Sequence, residues 1–455
     1  MGAAEWEVVA DMQPDLRDFL DKLDSAGLLL RVGRPVDARF ELSAVSRKIE
    51  KLGKAVLFEH VKGYHIPVVT NVFGSRDMLA LVFECDPREV VSEYVRRSRE
   101  RIHPVLVADG PVGEVVRLGE DANMDQLPIV THAEKDGGPF ITAGLVVAKD
   151  PDTGLRNVSV NRMMYRGPRS LGCDMSIRTH HLGQIQAKAE AMGTPLEVAI
   201  CIGNHPIETL AAATSIPFGD DEFALCGALR GAPLELVKCE TVDLEVPRTT
   251  EIVLEGEILP GLREAEGPFG DVMQCYGPVT DKHVFQLRAI THRKNPIYQT
   301  IQASSREDIR LLALSREASI QEAVANTGAR INAVSLGPTI LSCAISIDKQ
   351  FEGEPTNVAA AAFEAYPWLK YCIVVDADVD VFDIEDVFWA MGARSDAGKG
   401  LLQMRGTTGF PMDPHGIHTS KLGIDATASL DRWDEFERKR VPGEESVDLA
   451  DYLTW

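Results

Sequence analysis

The sequence predicts a multidomain protein of mixed α/β and α+β architecture, with an α/β domain at each end and a strand-rich domain between them. Its length supports this, because 455 residues exceed what one hydrophobic core usually holds together. The local patterns also support it: helix and strand patterns alternate at both ends of the chain, whereas strand patterns with frequent Pro and Gly dominate the middle. The predicted domains are 1–115, 116–305 and 306–430, followed by a charged tail, 431–455.

The first domain is predicted from helical spacing and short apolar runs. Apolar residues recur at helical spacing over residues 15–26, and Gly27 suits the end of that helix. Further helix patterns cover 42–52 and 77–82. Strand patterns cover 28–32, 55–59 and 67–71.

The remaining elements follow from the same signals. In the middle domain, strands are predicted at 141–148, 157–164, 197–202, 234–238, 251–257 and 283–291, with helices at 181–192 and 222–229. A connecting helix is predicted at 308–329. The last domain is predicted to hold strands at 340–347 and 371–375 and helices at 357–365 and 384–390, and the tail is predicted to form a surface helix or an arm onto a neighbouring subunit.

Composition excludes several classes of protein. A formal net charge of −22 argues against binding to nucleic acid or to an anionic membrane. The eight cysteines contain no CxxC pair, which favours buried thiols in a reducing compartment over disulfides or a zinc site. No signal peptide is visible, and no apolar run reaches the roughly 18 residues of a membrane-spanning helix. We therefore expect a cytoplasmic protein.

Two carboxylates flank a short segment, EGPFGD at 266–271, that cannot be an ordinary helix because it holds one proline and two glycines. The sequence predicts a tight loop after a strand, holding Glu266 and Asp271 near one point. Paired acids in a shaped loop suit proton transfer. The alternative is a surface turn rich in ordinary turn residues.

The RNVSVNR segment at 156–162 places polar residues along a predicted strand. Strict alternation puts Asn157, Ser159 and Asn161 on one face and Val158, Val160 and Arg162 on the other. Asn157 and Arg162 would therefore reach one site only where the strand bends. The alternative is a polar edge strand with a solvated arginine.

Three further clusters carry candidate ligands. His180 and His181 open a helix, where they suit an anion, a divalent metal or simple capping. After Ser215 and Ile216, the acids at 220–222 either complement the dipole of the next helix or complete an oxygen-and-nitrogen site with Asn157 and His181. In a predicted loop, Lys421 suits a phosphate or is a solvated surface lysine.

Motifs of several large enzyme classes are missing from the sequence. It contains no GxxxxGK[ST], no strand–GxGxxG–helix unit, no GxSxG and no HExxH. Walker-type ATPases, Rossmann dehydrogenases and serine hydrolases therefore lose their main support.

An ordered series of segments resembles the UbiD family of reversible decarboxylases, which use prenylated FMN. The series covers most of the chain: LPIVTHAEKDGGPFITAG (127–144), NVSVNR (157–162), HLGQI (181–185), DEFALCGALRG (221–231), LELVKCETVDLEVP (234–247), EIVLEGE (251–257), EGPFGD (266–271), ITHRKNPIY (290–298), VVDADVDVFDIEDVFWA (374–390) and KLGIDAT (421–427). The resemblance implies a split β-barrel that binds the flavin at 116–305 and a C-terminal α/β oligomerisation domain at 306–430.

The resemblance also implies roles for the candidate residues. Asp271, Glu266 and Arg162 would form the acid/base network, with Asp271 as the proton donor. Asn157, His181 and Glu222 would bind Mn²⁺ or Mg²⁺, with K⁺ nearby, and His181 is chosen over His180 because Leu-Gly-Gln-Ile follows it. The metal would join the protein to the cofactor phosphate, where Lys421 also lies. The full set implied at the cofactor is Asn157, Val158, Ser159, Val160, Asn161, Arg162, His180, His181, Ser215, Ile216, Glu222 and Lys421.

The implied reaction is decarboxylation of an aromatic, heteroaromatic or α,β-unsaturated acid through a covalent substrate–cofactor adduct. Two alternatives stay open: a physiological carboxylase, and a non-catalytic flavin-binding subunit of a larger complex. A metal-dependent hydrolase would need more ligands than this cluster offers. The resemblance further implies a homo-oligomer, either a dimer or a hexamer, that depends on a flavin prenyltransferase for its cofactor.

Overall fold

A computed structural model describes residues 13–175, 181–439, 441–443, 446–448 and 451–452. They fall into two compact units. The first unit runs to Ala318 and includes 338–340 and 412–414. The second holds 319–337, 341–411 and the described residues after 414.

The first unit begins with an α/β region in which helices flank a small sheet. The sheet has the order β1-β2-β3-β18. Helix α1 begins at an Asp15 cap and buries Leu16, Phe19, Leu20 and Leu23 on one face, as its apolar spacing predicts. The elements are α1 Leu16–Ser25, β1 Leu29–Val32, α2 Glu41–Ile49, β2 Ala55–Phe58, β3 Val68–Thr70, α3 Arg76–Phe83, α4 Val90–Ser98, β4 Val105–Leu106 and β5 Val115–Leu118.

A nine-stranded sheet forms the middle of the first unit. Its strands follow the order β6-β9-β10-β17-β14-β11-β7-β8, and β5 pairs with β17. The elements of this region are β6 Phe140–Ile141, β7 Leu145–Lys149, β8 Arg156–Val160, β9 Met163–Gly167, β10 Ser170–Cys173, α5 His181–Ala191, β11 Leu196–Ile202, α6 Pro206–Ala212, α7 Glu222–Arg230, β12 Glu235–Lys238, β13 Glu245–Pro247, β14 Ile252–Glu266, β15 Phe269–Gly270, β16 Tyr276–Gly277, β17 Thr280–His292, β18 Tyr298–Gln299 and α8 Arg306–Ala325.

The second unit contains a five-stranded sheet with the order β19-β20-β21-β23-β22. Strands β20, β21 and β23 run parallel to one another, whereas the outer pairs β19–β20 and β22–β23 are antiparallel. The elements are β19 Ile331–Leu336, β20 Ser342–Ile347, α9 Glu354–Ala365, β21 Tyr371–Asp376, α10 Ile384–Arg394, β22 Leu401–Thr408, β23 His418–Ala426 and a short helix, α11, Trp433–Phe436.

Most predicted elements are confirmed, and the exceptions lie near candidate site residues. The strand predicted at 157–164 is in fact two strands, β8 and β9. The strand predicted at 251–257 continues as β14 to Glu266. Lys421 lies in β23, so the prediction of a loop at that residue was wrong. Over the described part of the chain, no helix is both long and apolar enough to cross a membrane.

Candidate active site

Arg162 leaves the strand alternation because β8 ends at Val160 and β9 begins at Met163. The break interrupts the strict alternation that would have placed Arg162 on the opposite face from Asn157. Arg162 lies where the two strands meet. Its side chain remains about one-fifth exposed.

Arg162 is the first member of a row of alternating charges across three neighbouring strands. Met163 pairs with Cys173, and Cys173 pairs with His283. The residues next to these pairs, Arg162, Asp174 and Lys282, therefore come into line. The Arg162 Nη2 atom lies 2.6 Å from Asp174 Oδ2, and Lys282 Nζ pairs with the other Asp174 oxygen. Cross-strand pairs of opposite charge stabilise a sheet and fix the direction of each side chain.

The two acids of the 266–271 loop meet the same guanidinium. Arg162 Nη1 donates to Asp271 Oδ2 at 2.9 Å, and Arg162 Nε lies 3.6 Å from Glu266 Oε1. The guanidinium carbon also lies 4.9 Å from the centre of the Phe269 ring, which adds a cation–π contact. The structure thus brings together the three residues predicted for acid/base chemistry.

Glu266 and Asp271 have different surroundings. Glu266 is the last residue of β14 and is 2% exposed, and both of its carboxylate oxygens are without a hydrogen-bond partner among the described residues. Burial raises the pKa of Glu266, although the nearby Arg162 opposes that shift. Asp271 is half-buried, and its second oxygen accepts a hydrogen bond from the Val272 N–H at 2.6 Å. Burial therefore favours the protonated form of Glu266, whereas Asp271 is paired directly with the Arg162 guanidinium.

Asp174 and Lys282 are members of this network that the sequence reasoning missed. They lie on or next to β10 and β17, more than 100 residues apart, and only strand pairing brings them together. Arg162 pairs with both Asp174 and Asp271, and Lys282 pairs with Asp174. Together with Glu266, the network therefore holds three carboxyl groups around two cationic side chains.

A second polar cluster joins β8 to the start of α7. Asp221 caps the helix, and Glu222 is its first residue and is 3% exposed. Glu222 Oε1 accepts a hydrogen bond from the Asn157 side-chain amide at 2.9 Å, and Oε2 accepts one from the Val158 N–H at 2.8 Å. Burial raises the pKa of Glu222 to about 7.

Asn157 and His181 line one small open pocket together with Asp150, Phe218 and Asp220. Asn157 Oδ1 is buried and has no hydrogen-bond partner in the part of the chain that the structure describes. Burial lowers the pKa of His181, which favours the neutral imidazole that a metal requires. An orphaned amide oxygen, a neutral imidazole and a carboxylate are a donor set that fits Mn²⁺ or Mg²⁺.

The remaining predicted ligands are placed as follows. Ser159 donates to Asn161 Oδ1 at 2.7 Å, and Val160 ends β8. Ser215 is exposed and Ile216 is buried in the loop before α7. His180 lies outside the described residues. Within the described ranges, no three His, Cys, Asp or Glu side chains converge on one point, so any metal site here depends on the Asn157 amide.

Lys421 belongs to the second unit and is buried there. Its ammonium donates to the carbonyls of Leu369 at 2.8 Å and Pro367 at 2.5 Å, and it lies 5.5 Å from the centre of the Phe363 ring. Burial lowers the pKa of Lys421. Its role at a phosphate stays a prediction.

Family models match nearly the whole chain in three consecutive parts. They are the N-terminal, Rift-related and C-terminal domains of 3-octaprenyl-4-hydroxybenzoate carboxy-lyase (UbiD), which match residues 20–98, 105–305 and 310–426. The chain belongs to the UbiD family. This confirms the predicted family and its multidomain α+β fold, and it identifies the protein as a carboxy-lyase.

Relatives and solved structures agree with this assignment. The chain is 38% identical to anhydromevalonate phosphate decarboxylase of Methanothermobacter thermautotrophicus, covering 93% of this chain and 99% of that one. It is 33% identical to the phenolic acid decarboxylase of Sedimentibacter hydroxybenzoicus, covering 93% of each. Among solved structures, the UbiD-class enzyme HmfF from Pelotomaculum thermopropionicum in complex with FMN is 40% identical, with a TM-score of 0.92 over 97% of this chain and 100% of that one. An evolved dimeric form of that enzyme in complex with prFMN is 38% identical, with a TM-score of 0.88 over 97% of this chain and 100% of that one.

Proposed function

We propose that this UbiD-family carboxy-lyase catalyses the reversible, non-oxidative decarboxylation of an aromatic, heteroaromatic or α,β-unsaturated carboxylic acid with prenylated FMN. The arrangement of Arg162 between Asp271, Asp174 and the buried Glu266 carries this proposal. It offers one cation for a substrate carboxylate, beside two acids in different surroundings. Prenylated FMN, when bound, supplies the electron sink that loss of CO2 from an unsaturated carbon requires.

Arg162 is the group that would bind the substrate carboxylate. A guanidinium presents paired donors that match a carboxylate, and the Asp174 contact together with the Phe269 ring fixes its plane. The incoming carboxylate would replace Asp271 at Nη1. Because three carboxyl groups already surround two cationic side chains, a substrate carboxylate would add negative charge that a proton entering with the substrate would offset.

Asp271 is the acid that would carry this proton. Once the substrate occupies Arg162, Asp271 loses its cationic partner and gains an anionic neighbour, and both changes favour its protonation. After CO2 departs, Asp271 would deliver the proton to the carbon that lost the carboxylate. Glu266, whose protonated form burial favours, would limit the negative charge around Arg162 while this happens.

Asn157, His181 and Glu222 would hold Mn²⁺ or Mg²⁺, with K⁺ nearby, as a clamp on the cofactor phosphate. Lys421 would also contact that phosphate. The support is the chemistry of the donor set and the unpartnered Asn157 oxygen. In this role the metal sets cofactor occupancy and does not activate the substrate.

The proposed function and the state of the cysteines also bear on where the protein works and what it depends on. We infer a cytoplasmic homo-oligomer that receives its cofactor from a flavin prenyltransferase. All eight cysteines are free thiols, and five are buried, which suits a reducing compartment. Whether decarboxylation or carboxylation is the physiological direction depends on substrate and bicarbonate levels, since one site serves both.

The test compares wild type with Asp271→Asn and a matched control, Glu264→Gln. All three are co-expressed with a flavin prenyltransferase. They are then assayed for CO2 release from a panel including 3,4-dihydroxybenzoate, vanillate, heteroaromatic acids and α,β-unsaturated acids. Asp271→Asn should keep the bound flavin but lose CO2 release and the exchange of product C–H with deuterated water. Glu264→Gln, whose exposed carboxylate pairs with Arg166, should behave as wild type. Turnover by Asp271→Asn would refute the role of Asp271, and flavin binding without turnover in wild type would favour a non-catalytic subunit.

A further inference from the structure

The 133–140 segment lies along the 266–271 loop, which carries both acids, and contacts it at successive backbone positions. Asp136 Oδ1 accepts a hydrogen bond from the Gly270 N–H at 2.9 Å, and Asp136 Oδ2 accepts one from the Ala133 N–H of its own segment at 2.8 Å. One residue further on, the Gly137 N–H donates to the Pro268 carbonyl at 2.8 Å. Two neighbouring residues thus hold the backbone between Glu266 and Asp271 at two points, Pro268 and Gly270.

The approach at Gly137 is too close for any side chain. A Cβ atom built there would lie 2.2 Å from the Gly267 carbonyl oxygen, a backbone atom that cannot move alone. At Gly138, by contrast, the closest atom to such a Cβ would be Met164 Cε at 3.4 Å, the flexible end of a side chain. Only the first glycine is therefore required by the distance between the two segments.

Aromatic residues make further contacts between the 133–140 segment and the region around the 266–271 loop. The Phe140 and Phe269 rings lie 4.6 Å apart between centres, and Arg162 lies over the Phe269 ring. The Lys135 N–H donates to the Tyr276 hydroxyl at 3.2 Å. Displacement of the 133–140 segment would therefore move the ring on which Arg162 rests as well as the two acids.

We propose that Asp136 and Gly137 are positioning residues for the decarboxylation. They set the place of Glu266 and Asp271 relative to Arg162 through the backbone of the 266–271 loop. This inference rests on the proposed function, because it gives a catalytic purpose to the position of the loop. A misplacement of about 1 Å in a reacting group can cost about 100-fold in rate, so a fixed backbone at this point matters to turnover.

Two variants with neighbouring controls test the proposal in the flavin-loaded protein. Asp136→Ala removes both acceptor oxygens, and Gly137→Ala forces the segments apart without changing any charge. The controls are Glu134→Ala, an exposed acid two residues away, and Gly138→Ala. Asp136→Ala and Gly137→Ala should each lower kcat by about 100-fold, while KM changes by less than about threefold. The flavin spectrum should be retained, and both controls should match wild type.

Amide hydrogen exchange gives a readout that does not depend on turnover. In the protein without added substrate, a peptide covering 266–277 should exchange faster in Asp136→Ala and Gly137→Ala than in wild type or the controls. Asp136→Asn retains one acceptor oxygen, so the exchange rate of this peptide should lie between those of wild type and Asp136→Ala. This variant also keeps the test valid if Asp136→Ala folds poorly. Wild-type exchange and wild-type kcat in these variants would overturn the proposal. Turnover by Asp271→Asn would instead refute the proposed function, and the exchange result would still decide whether the segment holds the loop.

Discussion

Replacing Arg162 by lysine is the change that separates a positioned guanidinium from a mere positive charge. Arg162 reaches Asp271 and Asp174 at the same time through Nη1 and Nη2, at 2.9 and 2.6 Å. A lysine ammonium is a single point on a flexible stem and can occupy only one of these positions. Either Asp271 then loses its cation, or Asp174 keeps only Lys282.

The expected loss of kcat/KM follows from the number of charge-assisted hydrogen bonds that lysine cannot replace. One charge-assisted hydrogen bond of the two is lost, which is worth about 1.5–3 kcal/mol. At about 1.4 kcal/mol per factor of ten, kcat/KM should fall about 10- to 150-fold if the lost contact is made in the transition state. The contact with the Phe269 ring is weakened as well, because a planar guanidinium stacks on an aromatic face better than an ammonium does.

The assay is CO2 release by flavin-loaded protein over a range of substrate concentrations, using the acid that the panel identifies. Arg169→Lys is the control, since Arg169 contacts the exposed Glu120 and the Leu287 carbonyl away from the acids. Thermal unfolding of both variants checks that each is folded. If Arg162→Lys kept wild-type kcat/KM, charge alone would suffice and the two-point geometry would have no catalytic meaning.

Two further changes test the metal cluster and a buried acid. Glu222→Gln should lose flavin occupancy and not merely rate, because the metal clamp needs a carboxylate; a wild-type flavin spectrum in the purified variant would contradict this. Glu208, which is 0% exposed, has a pKa raised by burial from 4.5 to about 7. The unfolded state therefore ionises first, and the contribution of Glu208 to the free energy of unfolding should fall by about 3 kcal/mol as the pH rises from about 4.5 to about 7. Urea titrations across this range should show that loss in wild type but not in Glu208→Gln, and parallel pH profiles would be the opposing result.

Local sequence patterns predicted most elements because their signals lie within one turn or one strand. Helix α1 has its apolar stripe and capping residues within 12 positions, and α5 and α7 begin at the predicted histidine and glutamate. The missed helix α6 shows the limit. All seven of its residues are buried, so it has no polar face and no helical periodicity. The missed strand β22 shows the opposite limit, since it is largely exposed and lacks apolar alternation.

The sequence predicted those residues of the candidate site that belong to recognisable motifs. Glu266, Asp271 and Arg162 were identified from their motifs, and the structure places them around one guanidinium. Asp174 and Lys282 were not identified, because an acid after a short strand and a lysine in a long one are ordinary residues until β10 and β17 pair. The turn of the chain between β8 and β9 was equally hidden, since period-two alternation describes straight strands only.

The length of β14 has a consequence for how the chain can change by insertion and deletion. Glu266 ends a 15-residue strand whose last residues pair with β17, where Glu266 lies opposite Thr280. One residue added within that paired stretch would turn Glu266 to the other side of the sheet, because side chains alternate. The turn at 272–274 lies outside that paired stretch and is closed by a hydrogen bond from the Asp271 N–H to the Cys275 carbonyl. Natural or engineered variation in length should therefore collect in this turn, where an added residue would leave the alternation that places Glu266 unchanged.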